Sequence, residues 1–372
     1  CVERGLGPFK TNLVVADPSR SKSTICLAIT PAMKSQGVKN RCRIHEIPEG
    51  LEYITAMPRM QLYIDYSARI YSIYLRYVSK EDIHVYSIDE CFMDVTNYLS
   101  LYHMTEKKMA VELMRAVMEE TGITATAGIG TNLYLAKIAM DIVAKHVDDH
   151  IGILDEISFR KKLWTHQPLS DFWRIGSRTE KKLAGYGIHT MGDIARASIT
   201  SEDWLYKMFG IDAELLIDHA WGLESCRMSD IKSYHTEERS LSNGQVLMRN
   251  YSYEEAVVVV REMTDVLVLD LADKGLVTDS VTLWIAYDHK LERPSSHGTV
   301  KFDYLTNSSR SIMDGVENLY RQIVDRYTGI RRIEICANRV KVESYLQYNL
   351  FMDMEVVEKE KNLQKAVLSI QK

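Results

Sequence analysis

A multidomain α+β protein is predicted by three features of this chain. Its 372 residues exceed what one ordinary hydrophobic core organises. Strand-like runs alternate with stretches of helical period from end to end. From about residue 240 onward, the element order β-α-β-β-α-β is that of a compact domain with helices on one face of an antiparallel sheet.

Residues 11 to 48 mix short apolar runs (Leu13 to Ala16, Ile25 to Ile29) with basic clusters at Arg20 to Lys22 and Lys39 to Arg43, as in a small domain of strands and one short helix. From Pro58 to Val78, the positions Tyr63, Ile64, Ser67, Ile70, Tyr71, Tyr74, Leu75 and Val78 recur at helical spacing, and Pro58 suits a first turn. The tyrosine stripe reads as core rather than as a base-stacking platform.

The next stretch, IHVYSIDECFMDVT from Ile83 to Thr96, is rich in strand-forming residues yet contains adjacent carboxylates, Asp89 and Glu90. A carboxylate against a core needs compensation, and a divalent cation is a common source of it. Asp89 and Glu90 are therefore metal-ligand candidates, with a solvated hairpin tip as the other reading.

A helix over about 105 to 121 and a strand over Ile123 to Ile129 follow. The strand runs into Gly128-Ile129-Gly130-Thr131-Asn132 and a helix with Leu135, Ile138, Ala139 and Ile142 on its apolar face. This glycine run lacks phosphate-loop spacing, so Gly128 and Gly130 read as close-packing or turn residues. Residues 171 to 197 hold two helical segments joined through Gly185-Tyr186-Gly187. At the first of these, the helix start with Gly176, Ser177, Arg178, Lys181 and Lys182 is either a phosphate site or an ordinary helical hairpin.

In the last third, a strand over about 240 to 247 leads to a long helix opened by the capping box Ser252-Tyr-Glu-Glu255. An alternating strand (Val281, Leu283, Ile285, Tyr287), a strand at 299 to 302, a helix over 309 to 327 and a strand near 333 to 340 complete the unit. Arg331, Arg332, Arg339 and Lys341 crowd that final strand. Beyond it, Gln347-Tyr-Asn-Leu-Phe351 precedes an acidic stretch and a short amphipathic helix with Leu363, Val367 and Ile370 on one side. A Leu-Phe pair in a polar tail calls for a docking partner.

Composition narrows the function classes. At 46% hydrophobic and 26% charged residues the chain is ordinary for a soluble globular protein. No apolar run reaches membrane-spanning length and the first residues lack a signal-peptide core, so a cytoplasmic location is expected. The six cysteines are scattered without zinc or disulfide spacing. With a net charge of -5, any polyanion site must be a local patch.

Four motifs then coincide in order. YSIDE at 86 to 90, GIGTNLYLAKIAMDIVAK at 128 to 145, DFWRIG at 171 to 176 and SNGQVLMRNYS at 242 to 252 follow the sequence seen in Y-family DNA polymerases. The chain resembles that family, its UmuC and DNA polymerase IV branch above all, over essentially its whole length. The resemblance implies a right-hand polymerase with fingers (1–58), palm (59–155), a helix-hairpin-helix thumb (156–229), a little finger (236–343) of β-α-β-β-α-β order, and a clamp-binding tail (344–372).

By the same resemblance the activity is low-fidelity, template-directed addition of dNTP to a primer 3′-hydroxyl, in translesion synthesis and SOS-type DNA repair. Two Mg²⁺ ions assist, with Asp89 bridging both and Glu90 on the primer side. Lys145 matches a palm lysine that contacts the triphosphate. Lys34 stands in the place of a fingers arginine of the same task, although a solvated helix lysine fits it equally, and Pro31 stands where many relatives have a tyrosine. Arg174 replaces a hairpin glycine, which either adds a phosphate contact or distorts the turn.

Gly176, Ser177, Arg178 and Lys181 in the thumb and Arg331, Arg332 and Arg339 in the little finger are the implied DNA contacts. Gln347, Leu350 and Phe351 resemble a bacterial sliding-clamp motif, and the alternative is Phe351 capping its own domain. Partners are thus primer-template DNA, dNTP, the clamp and an accessory activator.

Relatives carry a further catalytic Asp and an aromatic steric gate upstream of the residue matching Cys1. On that ground the 372-residue chain is expected to bind DNA and the clamp but to polymerise poorly or not at all. Two other readings compete: a non-catalytic, clamp-tethered DNA-binding subunit, and a helix-hairpin-helix metal nuclease in which the final β-α-β-β-α-β unit would lack a role.

Overall fold

The computed structural model describes residues 1–19, 23–234, 239–288, 291–343 and 354–371. It divides into two compact units, 1–234 and 235–372.

The first unit begins with a three-stranded sheet. Strands β1 (Leu13–Val15) and β2 (Ala28–Ile29) pair antiparallel, and β3 (Ile54–Ala56) joins β1 in parallel. Helix α1 (Pro31–Ser35) opens on its proline, whose fixed φ and missing N–H suit a first turn. Val14, Cys26, Ile29, Met33, Val38, Cys42 and Ile47 make a small separate core.

Helix α2 (Met60–Tyr74) is followed by a hairpin of β4 (Ile83–Val85) and β5 (Cys91–Met93). Helices α3 (Thr96–Leu101) and α4 (Glu106–Thr121) come next, the latter capped by Thr105 and ended by Gly122 at φ 69°. The expected stripe packs inward in part: Ile70, Tyr71, Tyr74 and Val78 join the core, whereas Ile64 and Leu75 are exposed and Ile73, outside the expected set, is buried. Ile73 meets Ala116 and Val117, Tyr71 and Tyr74 line the core under the hairpin, and burial pushes the Tyr74 phenol up to about 12.

Strand β6 (Ala127–Gly130) is shorter than the expected 123–129 span and leads through the cap Asn132 into α5 (Leu133–Ile138). The chain continues as a π turn (Ala139–Val143) and a 3-10 turn (Ala144–His146) before β7 (Ile151–Leu154), which is parallel to β6. The glycines here are packing residues, as read from the sequence. A Cβ on Gly128 would lie 2.0 Å from the Ala136 carbonyl oxygen, and one on Gly130 2.2 Å from the Ala136 nitrogen. Only bare backbone lets the helix lie so close to the strands.

Helices α6 (Glu156–Leu163), α7 (Ser177–Ala184), α8 (Met191–Thr200), α9 (Glu202–Phe209), α10 (Asp212–Trp221) and α11 (Met228–Ser233) complete the unit. Their core residues Phe159, Leu163, Leu183, Ile194 and Ala220, with Phe172 ahead of α7, are continuous with Tyr134, Leu135, Ile138 and Ile142. The apolar packing therefore runs through position 155 without a break.

The second unit comprises β8 (Leu241–Tyr251), α12 (Tyr253–Asp273), β9 (Leu276–Tyr287), β10 (Ser296–Thr306), α13 (Ser309–Ile323), β11 (Ile330–Asn338), the short β12 (Lys341–Val342) and α14 (Met354–Gln371). The antiparallel sheet has the order β10-β9-β11-β8, with β12 on β9. Alternation in β9 buries Val281, Leu283, Ile285 and Tyr287 beneath α12 and α13 and leaves Trp284 on the opposite face. The expected capping box is present: Ser252 Oγ accepts from Glu255 N, and Glu255 accepts from Ser252 N.

The amphipathic reading of the final helix needs correction. Leu363 and Ile370 are exposed, whereas Gln364 is buried and donates to Asn307 O. Glu360 accepts from Ser308 Oγ and Arg310 N, and Lys361 pairs with Glu343 at 2.6 Å. The polar side of α14 docks because the turn before α13 presents backbone groups that need partners. Gln347, Leu350 and Phe351 lie outside the described residues.

Candidate active site

The β4–β5 hairpin is closed by one carbonyl. Tyr86 N and Ser87 N both donate to Glu90 O, at 3.0 and 3.1 Å, which sets Ser87, Ile88 and Asp89 at the tip. Asp89 is exposed, and Ser87 Oγ donates to its Oδ1 at 2.7 Å. This hydrogen bond restrains the Asp89 carboxylate at the tip.

Glu90 has a different partner. Its Oε2 accepts from Lys137 Nζ at 2.8 Å, and the same ammonium reaches Asp141 Oδ2 at 3.1 Å. Lys137 lies on α5 and is only 7% exposed. Burial opposes its charge most strongly, but the hydrogen bonds it donates to Glu90 and Asp141 and the field of Asp141 outweigh it, so Lys137 titrates above the ordinary lysine range. Tyr86 packs its ring 5.7 Å from the ammonium.

Aromatic contacts carry this arrangement into the helical region. Trp173 Nε1 donates to Tyr86 Oη at 2.9 Å, and both rings pack with Phe92. On its other side Trp173 stacks toward His219, whose ring lies 3.9 Å from that of Tyr134. His219 Nε2 is 3.0 Å from Glu224 Oε2, and because a carboxylate can only accept, that nitrogen carries the proton. Burial lowers the His219 pKa more than Glu224 raises it, so a neutral imidazole donates here despite the ion-pair distance. A cleft of about 430 Å³ opens between Asp141 and residues 170–176.

The other expected residues are distributed as follows. Lys145 is exposed on the 3-10 turn after Asp141, and Lys34 is exposed on the last turn of α1, in the three-stranded-sheet region. Gly176 caps α7 with extended backbone, and Ser177, Arg178 and Lys181 are exposed. Lys182 is committed elsewhere, donating to Met208 O at 2.6 Å. Arg174 takes φ 69°, the left-handed backbone that a glycine would supply, and so keeps the turn rather than distorting it.

In the second unit two of the three implied arginines on or just after β11 are already engaged. Arg332 pairs with Glu334 at 3.0 Å over the Trp284 ring, and Arg339 chelates Asp279 at 2.8 Å. Arg331 sits where the β11–β8 register shifts, with its Nη1 buried and lacking a hydrogen-bond partner.

Sequence reasoning passed over Lys137, Asp141, Tyr86 and Trp173. One signal was available: Lys137 interrupts an otherwise apolar stripe and has an Asp four residues on.

Comparison with known proteins decides the family. Residues 2–141 match the impB/mucB/samB family, and residues 238–350 match its C-terminal domain. DNA polymerase IV 2 of Bacillus subtilis strain 168 is 30% identical over 359 residues, covering 95% of this chain and 84% of that protein. The chain belongs to the impB/mucB/samB family of Y-family DNA polymerases. DNA polymerase IV 2 of Halalkalibacterium halodurans is 26% identical over 342 residues, 91% of this chain and 81% of its own length.

Solved structures agree on the fold of this Y-family chain. A Y-family DNA polymerase chimera, Dbh-Dpo4(243-245)-Dbh, superposes with a TM-score of 0.71 at 21% identity, covering 92% of this chain and 96% of that one. The insertion ternary complex of Dbh DNA polymerase gives a TM-score of 0.54 at 20% identity, with 92% and 96% covered. The multidomain α+β architecture is that of the Y-family polymerases. Among the described residues no helix is long and apolar enough to cross a membrane.

Proposed function

We propose that this chain is a template-directed DNA polymerase of low fidelity acting in translesion synthesis, with the β4–β5 hairpin as its catalytic centre. The observation that carries this reading is the pair Asp89 and Glu90, held at one hairpin tip by Ser87 and Lys137 inside a fold shared with Y-family polymerases. The proposed domains are fingers 1–58, palm 59–155, thumb 156–229 and little finger 236–343.

The donor set fits Mg²⁺. Asp89 and Glu90 offer hard carboxylate oxygens, and no group of three His, Cys, Asp or Glu side chains placed to hold a metal occurs among the described residues. Mg²⁺ is commonly held by one or two carboxylates, with substrate phosphates and water completing the shell. When bound, two such ions would supply a more acidic primer hydroxyl and neutralise charge on the triphosphate. Asp89 and Glu90 would hold the cations, and Lys145 and Lys34 would offer ammonium groups to the dNTP phosphates.

Duplex DNA is gripped through its backbone, by the N–H groups at Gly176 and Ser177 and the side chains of Arg178 and Lys181. Arg331, Arg332 and Arg339 supply the second-unit contacts, the latter two by exchanging carboxylate partners for phosphate. Gln347, Leu350 and Phe351 form the sliding-clamp segment.

The test is primer extension with Mg²⁺ and four dNTPs on intact and abasic templates. Asp89→Asn and Glu90→Gln are each expected to lower single-turnover addition by at least about 10²-fold with DNA affinity retained. DNA binding without extension, both by the unmutated chain and by a form extended upstream with a strand that carries the further catalytic Asp, would overturn the polymerase reading and mark a clamp-tethered binding subunit.

A further inference from the structure

The buried cation of the site is Lys137, and nothing in the proposed chemistry uses it. Its stem is enclosed by α5 and the neighbouring core, and only 8% of its side chain meets solvent. The ammonium is shared by two half-exposed carboxylates that stand on different elements. Glu90 lies on the hairpin 47 residues away, and Asp141 lies one helical turn on, within the π turn. A π turn interrupts the regular ladder of a helix and is frequent at functional positions. Here it carries the carboxylate that faces back toward Lys137.

The charges in this corner have a definite balance. Asp89, Glu90 and Asp141 are acidic, and Lys137 is the cation that hydrogen-bonds two of them. Tyr86, whose ring packs beside the ammonium, is fixed in turn by Trp173. Lys137 engages one oxygen of Glu90, Oε2, at 2.8 Å. A flexible glutamate on a hairpin would otherwise sample several rotamers, and one short charge-assisted hydrogen bond restricts it.

From this we infer that Lys137 is a positioning residue: it holds Glu90 in one orientation for the metal-dependent step, and by its own charge it weakens the hairpin's intrinsic grip on cations. The inference rests on the polymerase reading, but its binding arm stands without it. Two opposing consequences follow from removing the ammonium. Glu90 and Asp141 lose their shared counter-charge, so the corner attracts a divalent cation more strongly. Glu90 also loses its orientation, so the bound cation is less well placed for reaction.

The experiment compares the unmutated chain with Lys137→Met, which keeps the length and apolar stem, and with Asp141→Asn, which leaves Lys137 its bond to Glu90. Free Mn²⁺ is titrated by electron paramagnetic resonance without DNA or nucleotide, and single-turnover dNTP addition is measured at saturating Mg²⁺. Lys137→Met is expected to bind Mn²⁺ several-fold more tightly while adding nucleotide at least tenfold more slowly. Asp141→Asn, which removes an acidic group and keeps the ammonium, is expected to bind Mn²⁺ no more tightly than the unmutated chain.

A merely structural lysine would show both quantities falling together, and that result overturns the proposal. So does Mn²⁺ affinity unchanged in Lys137→Met, whether or not the unmutated chain extends primers, or Asp141→Asn binding Mn²⁺ as tightly as Lys137→Met. Should Lys137→Met fail to fold, Lys137→Gln supplies a neutral donor of similar length. It is expected to show the same rise in Mn²⁺ affinity with a smaller loss of rate, and no rise would again overturn the proposal.

Discussion

The indole N–H of Trp173 donates to the hydroxyl of Tyr86 across 2.9 Å, joining residues 87 positions apart. Tyr86 immediately precedes the Ser87-Ile88-Asp89-Glu90 tip, so this bond fastens the candidate catalytic hairpin to the segment that leads into α7. Trp173→Phe keeps a ring and loses the donor. It is expected to cost about 0.5–1 kcal/mol in urea unfolding. Adding Tyr86→Phe to that variant should cost nothing more, and full additivity in the double-mutant cycle would show that the bond contributes no stability.

Gly152 on β7 faces the π turn, where a Cβ would meet the Ala139 carbonyl oxygen at 2.0 Å. Backbone cannot rotate out of the way as a side chain can. Gly152→Ala is therefore expected to lower stability by more than about 3 kcal/mol or to yield no folded protein. Gly7→Ala, with nothing within 4 Å of the added carbon, should stay within about 0.5 kcal/mol of the parent. Similar denaturant midpoints for the two variants would refute this account of the glycine.

His219 gives the first unit an acid sensitivity. Burial holds its folded pKa below the ordinary value of 6.5, against the opposing pull of Glu224 and with a further lowering from Arg174. The unfolded chain then takes up a proton near pH 6.5 that the folded chain refuses. Stability is thus complete above that pH and is lost as pH falls through the folded pKa. Urea unfolding between about pH 5 and 8 should show this slope, and His219→Gln should reduce it. An equal slope in the variant would assign the acid loss to other groups.

Arg174 holds a left-handed backbone at φ 69° with its guanidinium 5.8 Å over the Trp173 ring. Arg174→Gly should relieve about 1 kcal/mol of backbone cost and raise the urea midpoint. If the guanidinium touches DNA phosphate, the same change lowers affinity on every sequence and reduces the salt slope by about 1. We expect both effects, and an unchanged slope would leave Arg174 with a purely local role.

Local pattern alone announced several parts of this protein. The Ser252–Glu255 capping box forms as written, because its partners are three residues apart and need no help from the rest of the chain. Period-2 alternation in β9 named the buried set Val281, Leu283, Ile285 and Tyr287, because a strand's geometry alone sends neighbours to opposite faces. Asp89 and Glu90 stood out as charge inside strand-forming sequence, and the glycine run as a close approach of backbone. What only tertiary structure decided is what each exposed or buried group meets. Pattern gives the face of an element and is silent on the surface opposite, so nothing near Lys137 in sequence shows that its ammonium ends on Glu90, or that Trp173 closes onto Tyr86. The same holds for α14, where hydrophobic period pointed to Leu363 and Ile370 while the backbone groups of the turn before α13 recruited Glu360 and Gln364. Satisfying buried polar groups depends on distances across the fold, and those exist only once the chain has closed on itself.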